Sequence, residues 1–318
     1  MAVTFERAAR ARRTRRRLQV VAFMSPWIIG FTVFFAYPLL ATGYFSFTGY
    51  DLLSPPEWVG LRNYAYLLFG DPVVRIAAAN TLWLVVVLTV LRVVFALGVA
   101  AVIARLRRGV GLVRTLCYLP ALAPPVAATL AFTFLFNPGT GPVNGLLGLL
   151  GIDGPLWFND PAWAKPALTL LTLWGSGELM IIMLAALLDV PQELHEAAAL
   201  DGAGPVGRFR HVTIPSIAPV LLFGVVNSII FSLQYFTQAV VAGSVASGQA
   251  EVVGSSKVLG YPDNATLTFP AWLYQQGFHY YNMGYAAAMA VVLFAFSLGF
   301  TALLIRRMRG GTIAEEVG

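Results

Sequence analysis

Residues 189–219 read DVPQELHEAAALDGAGPVGRFRHVTIPSIAP, and this stretch separates two long apolar runs of the chain. Pro191 is suited to begin a helix, and Glu196 would lie near the positive end of that helix, where carboxylates are favoured. Gly202 and Gly204 indicate the helix end, because glycine accepts the left-handed conformation of a C-cap. The stretch therefore predicts a helix, a glycine turn and a second short helix before the next apolar run.

The composition of the rest of the chain is that of a membrane protein. The 318 residues are 58% hydrophobic and only 11% charged, with a mean hydropathy of +0.73, whereas soluble domains carry roughly a quarter charged residues. So few charges could not cover the surface of a water-soluble protein. The composition excludes two soluble domains and predicts an integral membrane protein. The single cysteine, Cys117, excludes an internal disulfide.

Six apolar runs are long enough to cross a bilayer, which needs about 20 residues. They lack the alternation of outer-membrane strands and therefore predict an all-α fold with six transmembrane helices. Prolines in these runs, notably Pro26, Pro38 and the Pro124-Pro125 pair, predict kinks or breaks. The runs are Leu18–Phe47, Ile76–Ala104, Leu112–Phe136, Ala167–Leu188, Ser216–Val241 and Met283–Ile305.

The placement of charge predicts the orientation. Most of the 21 basic residues precede the first run, follow the last, or lie in the two connections on that same side. The positive-inside rule then places both termini in the cytoplasm of a prokaryotic-type cell, and an even number of spans agrees with this. The predicted organisation is a basic cytoplasmic N-terminus at residues 1–17, a transmembrane domain at 18–305, and a cytoplasmic tail at 306–318. A cleaved signal peptide is the alternative for the start of the chain, but no small-residue cleavage site supports it.

The 189–219 stretch resembles the signature of the membrane subunits of binding-protein-dependent ABC importers. That signature is EAA, three residues, Gly, nine residues, then Ile-x-Leu-Pro. Here it reads Glu196-Ala197-Ala198, Gly202, then Val212-Thr213-Ile214-Pro215, with conservative departures only in the last block. Further pieces resemble the carbohydrate branch, of maltose and glycerol-phosphate type: Tyr37-Pro38, Val59-Gly60-Leu61-Arg62-Asn63-Tyr64 and Asn80-Thr81.

The resemblance implies the role of this loop and the partners of the chain. Residues 189–215 would form a cytoplasmic coupling loop, between spans four and five, whose helix docks in a groove of an ATPase. The implied coupling residues are Glu196, Ala197, Ala198, Asp201, Gly202 and Pro215. The implied partners are a second homologous permease, two ATPase subunits and an extracytoplasmic solute-binding protein. Because the chain has no GxxxxGK[ST] motif, ATP and Mg are expected in the ATPase subunits and no cofactor in this chain.

Polar residues inside the predicted spans indicate a path for the substrate, since such groups are costly in lipid. Glu178 lies 11 residues before Asp189, which places it about 16 Å deep in a straight helix. Trp174 is one turn away, and Ser228 lies at similar depth on the next span. The full set of predicted pathway residues is Trp174, Glu178, Ser228, Phe231, Ser232 and Tyr235, the last four sharing one helical face at i, i+3, i+4 and i+7.

This mixture of rings and hydrogen-bonding groups suits a sugar, although Ser can equally serve as helix–helix contact. Arg92 is a second buried charge, and Glu178 is its first candidate partner. Glu178 favours a neutral or cationic saccharide over a phosphorylated polyol, whereas pairing with Arg92 would neutralise Glu178 or leave a positive site for phosphate. The sugar itself is not readable from the sequence.

Three other functional classes compete with an ABC permease. An ion-coupled secondary transporter would also carry buried charges, but it does not explain the loop motif. A channel would need a selectivity element, and none is apparent. An intramembrane enzyme is the third class. The histidines His195, His211 and His279 are scattered, with no HExxH or nucleophile–base arrangement. The sequence therefore predicts no catalytic residues and no metal site.

Overall fold

The structure is a computed structural model that describes residues 19–248 and 259–316, with side chains described as far as Arg306. The predicted basic segment at residues 1–17 lies outside the described residues. Fourteen helices are numbered here in chain order: α1 Gln19–Phe45, α2 Arg62–Ala65, α3 Pro72–Ala104, α4 Val110–Leu122, α5 Pro125–Leu135, α6 Pro142–Leu149, α7 Pro161–Trp174, α8 Gly177–Leu188, α9 Gln192–Leu200, α10 Pro205–Ser216, α11 Ala218–Leu233, α12 Thr237–Ala246, α13 Phe269–Tyr274 and α14 Met283–Glu316.

A small hairpin amends the all-α prediction. Strands β1, Thr48–Gly49, and β2, Glu57–Trp58, pair antiparallel with Thr48 opposite Trp58. Asn63 donates from Nδ2 to the Ser46 and Thr48 carbonyls, both at 2.9 Å, and thereby fastens the hairpin to α2. The block that contains Asn63 thus has a structural role in this chain.

Counting each bent helix pair as one span gives up to six segments of the described residues that could cross a membrane, of which three are single helices. These are α1, α3 and the Met283–Arg306 part of α14. The others are bent pairs: α4 with α5 at 99°, α7 with α8 at 50°, and α10 with α11 at 72°. The first bend confirms the break predicted at Pro124-Pro125. The prediction of single helices in runs four and five is wrong, because run four breaks between Trp174 and Gly177 and α11 already ends at Leu233.

Close approach of two backbones accounts for the break in run four. A Cβ on Gly177 would lie 2.5 Å from the Cys117 carbonyl oxygen and 2.9 Å from the Tyr118 Cα. The start of α8 is therefore pressed against the end of α4, at a distance that only glycine permits. In α1, by contrast, a π-helical turn at Thr32–Ala36 precedes Pro38 and the helix continues, so no break occurs there.

Helix α3 is the central helix of the bundle and packs against α7, α8 and α11. Asp71 caps its start by accepting from the Val73 and Val74 amides, with Pro72 in the first turn. Along its length Ala96 and Ala100 are fully buried against Met180 and Met183 of α8. Such small residues allow helices to approach closely in a membrane bundle.

The end of the bundle opposite α9 is held by polar contacts. Asn80 donates from Nδ2 to the Asn264 and Leu267 carbonyls at 2.7 and 3.0 Å and accepts from the Lys165 ammonium at 3.0 Å. Next to it, Thr81 Oγ1 accepts from the Phe269 amide at 2.8 Å. The Asn80-Thr81 pair therefore anchors the segment before α13 onto α3.

Candidate functional site

Helix α9 has the local structure that its sequence predicts. It begins after Pro191 and ends at Leu200, and Gly202 follows with φ of +83°. The Ala203 amide donates to the Ala198 carbonyl at 2.9 Å and the Gly202 amide to the Ala199 carbonyl at 3.1 Å. These two hydrogen bonds form a Schellman C-cap. Gly204 adopts an ordinary φ of −68°, so only Gly202 needs to be glycine.

The surface of α9 is open along the whole helix. None of its residues is buried, and Leu200 at its end is 90% exposed. Glu196 accepts from the Gln192 side chain at 2.8 Å and otherwise faces outward. Of the other predicted coupling residues, Ala197, Asp201, Gly202 and Pro215 are exposed and Ala198 is half-buried.

Within the α9–α10 segment, Gln192–Ser216, α9 contacts α10, and α10 is joined directly to α11. A cavity of about 320 Å³ separates the segment from the ends of α3 and α8, with Arg105 and Leu187 on the bundle side and His195 and Arg208 on the segment side. A bend of 72° then leads from α10 into α11. A force on α9 would thus reach the spans through α10.

A second cavity, of about 200 Å³, lies in the middle of the bundle, and we call it the central cavity. Three of the predicted pathway residues, Trp174, Glu178 and Phe231, line it together. The structure thus brings these three residues to one site. The remaining lining residues include Arg92 of α3, Pro120, Ala121, Ala123, Pro125 and Ala128 of α4, α5 and the turn between them, Thr172 of α7, Asn227 of α11 and Gln238 of α12.

The other three predicted pathway residues are packed inside the protein. Ser228 and Ser232 are fully buried, and Ser232 Oγ donates to the Ser228 carbonyl at 2.7 Å. Tyr235 is 1% exposed and lies beyond the end of α11, where its hydroxyl is 3.0 Å from Thr172 Oγ1 and 3.4 Å from the Leu168 carbonyl. The cavity wall of α11 includes Asn227 and Phe231. Tyr235 follows the end of that helix, although its ring centroid lies 5.9 Å from that of Phe231.

Glu178 keeps its charge exposed at the first turn of α8. The positive end of a helix dipole stabilises a carboxylate in this position. Trp174 lies across the break in the preceding helix, is 42% exposed, and has its ring centroid 5.4 Å from that of Phe132. Both side chains reach the central cavity although they belong to different helices.

Arg92 is the most buried charge of the central cavity, with 7% of its surface exposed. Its Cζ atom lies 4.2 Å from the centroid of the Phe231 ring, which is a cation–π contact. Nε and Nη1 are buried without a hydrogen-bond partner, and within the described part of the chain no carboxylate lies within the 4.0 Å of an ion pair. Glu178, the partner suggested by the sequence, acts on it only as a more distant charge.

Sequence reasoning missed how the cavity wall is built. The Pro124-Pro125 pair predicts only a kink or break, yet Pro120, Ala121, Ala123 and Pro125 supply part of the wall. The signal was present, because a proline pair in a span frees backbone and opens space between helices. Arg92 was recognised as a buried charge, but its placement on Phe231 depends on the packing of α3 against α11.

Comparison with known proteins agrees with these features. A family model described as "Binding-protein-dependent transport system inner membrane component" matches residues 9–310. The chain is 36% identical over 274 residues to the probable ABC transporter permease protein YesP of Bacillus subtilis strain 168, covering 86% of this chain and 84% of the relative. It is 32% identical over 300 residues to the sulfoquinovosyl glycerol transport system permease protein SmoG of Agrobacterium fabrum, covering 92% and 91%.

The fold is also that of a solved transporter. A chain in the crystal structure of a bacterial ABC transporter involved in the import of the acidic polysaccharide alginate superposes with a TM-score of 0.75 at 20% identity, over 94% of this chain and 97% of that one. At this level of identity the likeness concerns the fold. The family match extends over most of the sequence and includes the loop motif. The chain therefore belongs to the family of binding-protein-dependent transport system inner membrane components.

Proposed function

We propose that this chain is the membrane permease subunit of an ATP-driven importer and forms part of the path for a saccharide delivered by an external binding protein. Relatives named for sulfoquinovosyl glycerol, arabinooligosaccharides and lactose support the saccharide class. The family is one of transporters, so the chain moves its solute without making or breaking bonds.

The exposed α9 helix is the observation that carries the coupling role. A nine-residue helix would be marginal alone, yet α9 has a complete C-cap and buries none of its residues in this chain. Such a surface suits helix-in-groove recognition by a partner. Ala197 and Ala198 allow close approach, and Glu196 supplies a carboxylate for a basic group of the ATPase.

The central cavity supports the transport path. Glu178 and Asn227 are polar cavity residues in apolar helices, and both are exposed on the surface of this chain. Exposure to lipid would be costly for them, so this face belongs against a water-filled path and a partner subunit. The cavity volume of about 200 Å³ is below the roughly 300–1,000 Å³ of complete ligand pockets, which agrees with one wall of a shared path.

The proposed assembly contains this permease, a second homologous permease, two ATPase subunits that bind ATP and Mg, and the solute-binding protein. Both termini face the cytoplasm, and the transmembrane domain at 18–305 lies between them. The coupling loop at residues 189–215, within that domain, also faces the cytoplasm. A reporter fused after Gly318 should therefore be active in the cytoplasm, and one inserted after Gly248 outside. Both reporters on one side would contradict the six-span topology.

Co-purification and reconstitution test the function itself. The tagged chain, expressed with the proteins of its own complex, should bring an ATPase and a second permease through purification. The complex in lipid vesicles should take up saccharide only with ATP on the ATPase side and with binding protein on the other. Saccharide uptake driven by an ion gradient in the absence of ATP would refute the proposal.

A further inference from the structure

Arg92 is a charge for which the protein supplies no counter-ion in contact. It is more than nine-tenths buried and lines the central cavity, and its Nε and Nη1 atoms are buried without a hydrogen-bond partner among the described residues. Phe231 covers one face of the guanidinium, but a ring cannot accept the N–H hydrogen bonds in the plane of that group. A buried charge without a hydrogen-bond acceptor is energetically costly, so an acceptor from outside the chain would stabilise it.

We propose that Arg92 anchors an acidic group of the transported saccharide, so that the substrate is a sugar bearing an oxyanion. The inference rests on the proposed transport function and specifies its substrate class. Guanidinium groups bind carboxylate, phosphate and sulfonate oxygens by charge-assisted hydrogen bonds. The shared chemistry is an oxyanion on a sugar ring.

Because Arg92 and Glu178 differ in burial, the electrostatic potential at the cavity wall is positive. Their formal charges cancel, but Arg92 is buried in apolar surroundings whereas Glu178 is exposed. A charge in water acts several times more weakly at a given distance than one near a protein interior. The position of Glu178 at the start of α8 weakens its field further, since the helix end carries partial positive charge. An anion at the Arg92 end of the cavity is therefore attracted.

The remaining cavity groups suit the sugar that carries the oxyanion. Asn227 and Gln238 each offer an amide that both donates and accepts, as hydroxyl groups require. Trp174 presents an exposed ring beside them, against which the C–H face of a sugar packs. Phe231 contacts the guanidinium through its ring, with the Cζ atom 4.2 Å from the ring centroid.

Direct binding to the complete complex in nanodiscs, without binding protein, tests the proposal. The probes are a galacturonate trisaccharide, a sugar phosphate, and a galactose trisaccharide as the neutral counterpart. At least one charged probe should bind tenfold or more tightly than the neutral one. Arg92→Gln should remove that preference, and Arg92→Lys should keep part of it. Arg75→Gln, on the exposed side of the same helix, is the matched control and should bind as the unaltered protein does.

The outcomes separate the inference from the function on which it rests. The Arg92 assignment would be overturned if the neutral probe bound more tightly, or if Arg92→Gln lowered the affinity for all probes equally. In that case, ATP-driven uptake of neutral sugar would still support the transport function. No saccharide binding together with no uptake would refute both. If Arg92→Gln does not assemble, Phe231→Leu serves instead, because it frees the guanidinium and should lower the preference for the charged probe at least threefold. An unchanged preference in Phe231→Leu would count against the proposal.

Discussion

Substitution of Gly202 separates the conformation of the α9 C-cap from its contacts. Gly202 has φ of +83°, and a Cβ added there would meet no atom within 4 Å. The cost of a side chain is therefore conformational alone, at about 1–2 kcal/mol for an ordinary residue in the left-handed region. Asparagine tolerates that region, alanine less well, and valine least, because its branched Cβ restricts the backbone further.

This cost falls on a helix with few other supports. Helix α9 has nine residues, none of them buried, so its order depends on its caps and on the partner that it meets. A loss of 1–2 kcal/mol would lower the fraction of molecules with an intact C-cap by a factor of about 5–30. We expect the sugar taken up per ATP hydrolysed to fall in the order Gly202, Asn, Ala, Val, with Gly202→Val about tenfold below the unaltered protein.

The assay is uptake and ATP hydrolysis by the complex in lipid vesicles, with the amount of inserted chain measured in parallel. Gly204→Ala is the matched control, since its φ of −68° is open to any residue and no atom lies within 4 Å of an added Cβ. It should behave as the unaltered protein. Equal coupling in the Gly202→Val and Gly204→Ala variants would refute the role assigned to this turn.

Four further substitutions test other parts of the structure. Glu196→Lys should weaken co-purification of the ATPase about tenfold or more, because a charge-assisted hydrogen bond is replaced by repulsion; normal recovery would contradict the docking role. Gly177→Ala should destabilise the protein by about 1–3 kcal/mol in thermal unfolding, since its Cβ would lie 2.5 Å from backbone of α4, whereas Gly175→Ala, with nothing nearer than 3.8 Å, should not. Tyr235→Phe should lose about 1 kcal/mol of stability and keep uptake within twofold; a tenfold loss of uptake would return Tyr235 to the path. Asn80→Ala should cost about 3 kcal/mol, because it leaves buried partners unsatisfied, and an unchanged melting temperature would disprove the anchor.

The features that the sequence predicts correctly are those that depend on neighbours along the chain. Helix α9 begins after Pro191 and ends at Gly202 because proline and glycine act through their own backbone. The break between α4 and α5 follows in the same way from Pro124-Pro125. Length and apolarity are likewise local properties, and they locate the three helices and three bent helix pairs that could cross a membrane.

The features that were predicted wrongly depend on tertiary packing. The placement of Tyr235 on the face of Phe231 assumed an unbroken helix, but α11 ends at Leu233. The break before Gly177 arises from contact with Cys117, some 60 positions away in the sequence. For Arg92 the sequence offers Glu178 only as the first candidate partner, and the packing of α3 on α11 is needed to place its guanidinium on Phe231.

The break between α7 and α8 also determines how far different residues of α8 would move if that helix rotated about the break. Helix α8 has 12 residues and so extends about 18 Å from the break to the end that leads to α9. A rotation of roughly 10° about the break would displace that far end by about 3 Å. Glu178, one residue from the pivot, would move by only about 0.3 Å in the same rotation. In the proposed importer the break would therefore act as a pivot close to Glu178, so that a movement at the α9 end of α8 would leave the Glu178 backbone almost stationary.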